Sequence, residues 1–376
     1  MSQINTNAIL DASGGTTTSI NGYTPTASNM AGRNRIINGD MRIDQRNAGA
    51  SSNFGTGGEY STVDRWQTFE NTGGSATNQQ VVDAPAGFYN SLKVTVTSSA
   101  TPSAAEFFQL RQAIEGYNIA DLGWGTASAK TVTLSFWVKS SLTGQFGGSV
   151  GNNVSTFYSY PFNYTISSAN TWEYKTITIS GSTAGTWAST NEVGLNLYFN
   201  LGCGSNLLNT ANTLYSGGTL YRGSTGDTNL VATNGATWQI TGVQLEVGSV
   251  ATPFERRQYG TELQLCQRYY QKWQNESGGE PTGSVGTGTV WTAGNFFCIL
   301  QYFVPMRALP DGEKSSTNAI TLLYNSAAKQ ATNIVFSSYS RNSVEVVGTS
   351  SGMSAGQAGF VRFTGASDYL ALTAEL

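Results

Sequence analysis

Residues 130–141 read KTVTLSFWVKSS, and their side chains alternate: Val132, Leu134, Phe136 and Val138 fall on one side, Thr133, Ser135, Trp137 and Lys139 on the other. Successive side chains of a strand point to opposite faces, so this period of two predicts a strand with one buried face. The same rhythm recurs in SLKVTVTS (91–98), EYKTITISG (173–181), EVGLNLYFNLG (192–202) and TWQITGVQLEVG (237–248), each bounded by Gly, Ser, Asn or Thr. Taken literally, it sends Leu92, Val94, Val96, Leu195, Leu197, Phe199 and Leu201 into one core with the Val132 row. Residues 34–255 are therefore expected to form a β-sandwich or jelly roll of roughly 200 residues. The fold class is all-β.

Two aromatics break the polar faces of these strands. Trp137 shares its face with Thr133, Ser135 and Lys139, and Tyr198 lies between Asn196 and Asn200. Flat apolar rings beside amides and hydroxyls suit the CH-rich face of a sugar, so both are glycan-binding candidates. The other reading is that a loop or a neighbouring subunit covers them.

Beyond the sandwich the rhythm changes. Tyr259, Leu263, Cys266, Tyr270 and Trp273 recur at spacings of four, three, four and three, which predicts one connecting helix over residues 256–274. It would pack on its own domain or form a three-fold helical neck. The Gly-rich stretch NESGGEPTGSVGTGT (275–289) reads as a break. After it, FFCILQYFV, AITLLYN, NIVFSSYS, SVEVVG, GFVRFTG and DYLALTAEL read as the short strands of a smaller C-terminal β domain, residues 275–376, with Trp291 and Tyr339 as further glycan-binding candidates. At the other end, residues 1–33 carry only isolated apolar residues such as Ile4, Ile9, Leu10 and Ile20. They read as an extended arm, either anchoring or loose.

Composition narrows the chemistry. Charged residues are 11% of the chain and 44 of its 376 residues are glycine, a balance that suits an uncharged, hydroxyl- and amide-rich β surface. The net charge is −3, and no basic cluster exceeds the Arg256–Arg257 pair, which argues against nucleic acid and anionic membrane as partners. The chain has no histidine, so Ser-His-Asp and Cys-His catalysis and His-ligated zinc are impossible within it. Cys203, Cys266 and Cys298 have neither an even count nor CxxC spacing and are expected to be small buried residues. The start shows no secretory signal, and no apolar run of about 18 residues follows, so synthesis in the cytoplasm without membrane insertion is expected. Asp40, Asp44, Asp64, Glu70 and Glu173 could include a glycosidase pair, yet no spacing places two of them across a sugar bond, and no catalytic residue is assigned. No cofactor is expected beyond a structural calcium held by Asp40 and Glu246, if the first and last strands pair. A turn carboxylate and an exposed strand glutamate explain these two residues equally well.

The motifs NRIINGDMRIDQRNAG, VDRWQ, LSFWVKSS and WQITGVQLEVGSVATPFERRQYGTELQLCQRYYQKW resemble the modular virion proteins of tailed bacteriophages, especially marine and cyanobacterial ones. The resemblance spans about residues 34–273. It implies an opening strand near residues 34–42, a carbohydrate-binding-module-like jelly roll, a helix and a variable β tail. Its functional implication is a tail-fibre subunit in the virion tail, often homotrimeric, joined to other tail proteins through its arm and adhering to host surface polysaccharide. A capsid decoration or tail-adaptor protein and a polysaccharide depolymerase are the rival readings.

Overall fold

The computed structural model describes residues 32–275 and 283–376. Of the expected arm, residues 1–33, only the last two lie within them. Contacts divide the chain into two compact units, the first ending at Arg257 and the second starting at Gln258.

The first unit is a jelly-roll β-sandwich of two six-stranded antiparallel sheets. One sheet runs Ser52–Asn53, Ser75–Val81, Ser91–Ser98, Thr237–Val247, Val132–Ser140 and Glu173–Ile179. The other runs Tyr215–Gly217, Phe157–Ile166, Gly144–Gly151, Val193–Cys203, Phe107–Glu115 and Gln67–Glu70. All five alternating segments of the sequence are strands. The rows starting at Leu92, Val132 and Leu195 meet between the sheets in one cluster, with Phe136, Phe199 and Trp238 all fully buried. Phe199 holds its centre: its ring lies 5.1 Å from Phe136, 5.6 Å from Trp238 and 6.2 Å from Phe162.

The segment near residues 34–42, expected as an opening strand, is irregular instead. Asn38 and Met41 take positive φ values of 57° and 59°, which no strand allows. The segment still crosses the Thr237–Val247 strand. Asn34 Oδ1 accepts from Leu245 N at 3.1 Å, its Nδ2 donates to Val243 O at 3.0 Å, and Arg35 N donates to Leu245 O at 2.9 Å. Buried Gln112 clamps Ile37 with two hydrogen bonds of 2.9 Å, one to its N–H and one to its carbonyl.

The second unit contains a seven-stranded sheet in the order Ala327–Gln330, Ile320–Tyr324, Ala358–Phe363, Ser284–Thr292, Asn295–Gln301, Ser343–Thr349 and Asn333–Ser337. A three-stranded sheet of Tyr270–Gln274, Tyr369–Thr373 and Asp311–Lys314 joins it, and both sheets contribute to one core. Two expectations are corrected here. The helix spans only Tyr259–Gln267, and Tyr270–Gln274 is a strand whose Trp273 pairs with Leu370. Aromatic side chains lose rotamer freedom in a helix, and the edge of the closing strand offers Tyr270 and Trp273 a backbone ladder that outweighs the apolar spacing. The Gly-rich stretch is likewise no simple break, because Ser284–Thr292 is the central strand of the larger sheet. Its Gly288 lies where a Cβ would come within 2.5 Å of Val361, so that position has room for glycine alone.

No disulfide joins the cysteines, and all three are buried. Burial pushes the thiols of Cys203 and Cys298 up to about 12.

Candidate functional site

Trp137 is half-buried on the outer face of the first sheet. Its strand pairs with Glu173–Ile179, which sets Tyr174 directly opposite with ring centroids 5.3 Å apart. On the other side Trp137 faces Thr241, and there the pairing breaks: a bulge in Thr237–Val247 separates Thr241 from Gln244. Gly242 in that bulge has φ +63°, and a Cβ on it would lie 2.7 Å from the Phe88 ring and 3.2 Å from Trp137. Glycine thus keeps open an outward cleft of about 470 Å³, walled by Phe88, Trp137, Tyr174, Pro253, Phe254 and Arg256.

The remaining wall comes from the loop after the bulged strand. Phe254 meets Phe88 edge-to-face at 5.2 Å, and the exposed Arg256 guanidinium lies 4.6 Å from the Phe88 ring. That loop is held from inside the domain. Glu246 Oε1 accepts from Thr252 N at 2.8 Å and from Gln244 Nε2 at 2.8 Å, while its Oε2 accepts from Thr252 Oγ1 at 2.6 Å. Gln244 Oε1 in turn accepts from Glu255 N at 2.7 Å. Buried polar contacts therefore fix the register of the segment bearing Phe254 and Arg256.

Glu246 and Asp40, the two residues expected to hold calcium, are both engaged by protein groups. Glu246 is buried, not exposed, and its oxygens bind the loop, while Asp40 Oδ2 pairs with Arg42 Nε at 2.9 Å. Burial raises Asp40 against the opposing pull of Arg42. Among the described residues no group of three or more His, Cys, Asp or Glu is placed to hold a metal.

Tyr198 has a different fate. It is 3% exposed beneath Arg222, whose guanidinium lies 5.4 Å from its ring and 4.0 Å from that of Phe107. Its neighbours Asn196 and Asn200 are fully buried too, bound to Arg111 Nε at 2.8 Å and to Asp227 Oδ2 at 2.9 Å. The segment between residues 204 and 229 folds over this face of the second sheet, so Tyr198 offers no free ring to a sugar. Cover by a loop was the alternative that the alternation had left open.

In the second unit Trp291 is 70% exposed, beside Phe297. Tyr339 is half-buried against that unit's core, and burial, with the Asp311 carboxylate adding to it, raises its phenol. The carboxylates considered for hydrolysis hold backbone turns. Asp44 accepts from Asn47 N and Gly49 N at 2.8 Å, Glu70 from Thr72 N at 2.7 Å, and Glu173 from Ser167 N at 2.8 Å and Ser168 N at 2.9 Å. Asp64 accepts from Gln45 N at 3.1 Å, and its burial pushes it up to about 6.

Sequence reasoning missed Phe88, Tyr174, Gly242, Phe254 and Arg256. Tyr174 was legible as the outward residue of a neighbouring strand, but the other four converge through a bulge and two loops that leave no periodic mark.

No family model matches the chain, and no curated protein sequence matches it. Among solved structures it is similar to the enzymatically active domain of tailspike protein 4 of bacteriophage CBA120, with 13% identity over 57% of this chain and 21% of that chain and a TM-score of 0.31. It is also similar to a CBM4 structure, with 14% identity, 56% and 98% coverage and a TM-score of 0.29. The family 11 carbohydrate-binding module from Clostridium thermocellum, in complex with a β-1,3-1,4-mixed-linked tetrasaccharide, matches with 12% identity, 50% and 91% coverage and a TM-score of 0.25. At these scores the likenesses do not bear on what the cleft binds; the sandwich stands on its own sheets.

Proposed function

We propose that the protein is a non-catalytic adhesive subunit that binds a surface glycan in the Trp137 cleft. The observation that carries this reading is the cleft itself: four aromatic side chains, Phe88, Trp137, Tyr174 and Phe254, around an opening kept by Gly242, with Arg256 at its rim. Ring faces take up the CH-rich faces of sugars, and the guanidinium fork supplies donors to hydroxyl or carboxylate oxygens. The low charge of the chain keeps the surrounding surface compatible with neutral polysaccharide.

The finer reading is a homotrimeric tail-fibre subunit of a tailed phage, attached by residues 1–33. Repeated weak contacts on a multivalent particle would then raise avidity well above the affinity of a single cleft. The motifs of residues 34–273 support it.

Glycan-array binding of the full chain and of Trp137→Ala tests the cleft. Loss of roughly ten-fold in affinity is expected, the order of one lost aromatic stacking contact. Unchanged binding would remove the cleft from the reading. Immunogold microscopy of intact particles with antibody to residues 283–376 tests the finer role, where label at the distal tail supports a fibre and label over the capsid shell rejects it. Sedimentation equilibrium measures the oligomer.

A further inference from the structure

The outer face of the seven-stranded sheet holds a second, smaller site of different chemistry. Trp291 ends the Ser284–Thr292 strand and Phe297 lies on its neighbour, with ring centroids 6.2 Å apart and planes 56° from parallel, so the two rings form an open corner. The next strand, Ser343–Thr349, sets Val347 opposite Phe297 and Glu345 opposite Ile299. Trp291, Asn295, Phe297, Glu345 and Val347 line a slot of about 220 Å³. Such a volume suits a small head group rather than a run of sugar rings.

Glu345 is the one charged side chain of this lining. Its Oε2 accepts from Ser337 Oγ at 3.0 Å and from Ser338 Oγ at 2.8 Å, which orients the carboxylate and leaves Oε1 without a hydrogen-bond partner among the described residues. Both rings line the same slot, and an aromatic face carries the negative side of its quadrupole. Aromatic faces, a held carboxylate and the methyl groups of Val347 together attract a positive charge clothed in CH groups and repel an anion. The Trp137 cleft carries a cation, Arg256, where this slot carries a carboxylate.

We propose that this slot binds an organic ammonium group, carried either by a quaternary head group or by a protonated amino sugar. The site is independent of glycan binding in the first unit. A neutral sugar ring could stack on Trp291 but would draw no charge attraction from Glu345.

Titrating the full chain with choline, with its neutral isostere 3,3-dimethylbutan-1-ol, and with methyl glucosaminide against methyl glucoside tests the proposal by saturation-transfer NMR. The cation of at least one pair is expected to bind about ten-fold more tightly than its neutral counterpart, on the scale of a partly desolvated cation–π contact. Which cation binds distinguishes the head group from the amino sugar. Glu345→Gln, which keeps the shape and an oxygen for the serines, is expected to erase that preference. Trp291→Ala abolishes binding, and Trp137→Ala leaves it unchanged. Equal binding of cation and isostere in both pairs, no binding of either cation, or a preference that survives Glu345→Gln would overturn it.

Discussion

Asp64 is fully buried and Asp227 largely so, and burial pushes each carboxyl up to about 6. A folded value above the ordinary carboxylate value means that the native chain holds these protons more tightly than the unfolded chain does. Their contribution therefore favours folding most at acidic pH and is lost as pH rises through about 6. The first unit is expected to melt at a higher temperature at pH about 5 than at pH about 7, by an amount on the order of 1–3 kcal/mol per group. The Asp64→Asn, Asp227→Asn double variant should flatten that slope, and a wild-type melting temperature that climbs steadily from pH 5 to 7 would contradict the argument. At this scale the sequence was partly legible. Alternation placed Leu134, Phe136 and Leu197 inside without error, because a strand's two faces are fixed by covalent geometry. It also placed Tyr198 and Asn200 outside, where the sheet itself puts them, but the covering segment that buries them is set by Arg222 and Asp227, remote in sequence. Glycine at position 242 decides whether the aromatic cleft is open: Gly242→Ala is expected to press on Phe88 and Trp137 and to weaken glycan binding as strongly as loss of Trp137 itself.

Elements are held by a few side chains whose loss should show. Gln112 is the hydrogen-bond partner of both backbone groups of Ile37, so Gln112→Ala should destabilise the first unit by about 1–3 kcal/mol in denaturant melts, the cost of leaving buried polar groups unpaired. Phe199→Ala removes the ring at the centre of the sandwich and should cost about 3–5 kcal/mol. Glu246 offers a subtler test. It holds the loop through Thr252 and through Gln244, so Glu246→Ala should lower glycan affinity by releasing the loop of Phe254 and Arg256 while the Trp137–Tyr174 pair stays in place. Strands were the elements best read from the sequence, and the helix the worst. Its apolar spacing continued past Gln267 through Tyr270 and Trp273, but a backbone partner at residues 369–373, about a hundred positions away, claimed those residues for a sheet. No local pattern contains that partner.

The molecule as a whole contains two compact units, each with its own core. Calorimetry is expected to resolve two transitions, of which only the one belonging to the first unit moves in Phe199→Ala; a single transition shifted as a whole would show the cores to be coupled. The two candidate sites divide the same way, one open to hydroxyl- and carboxylate-bearing ligands, the other to cations. The division is also written in sulfur. Cys203 belongs to the first unit, Cys266 and Cys298 to the second, all are sealed from solvent, and burial leaves the thiols of Cys203 and Cys298 almost wholly protonated at neutral pH. A maleimide added during gradual denaturation would thus keep a record of events: one tag per chain reports that the sandwich has opened first, and two report the other unit.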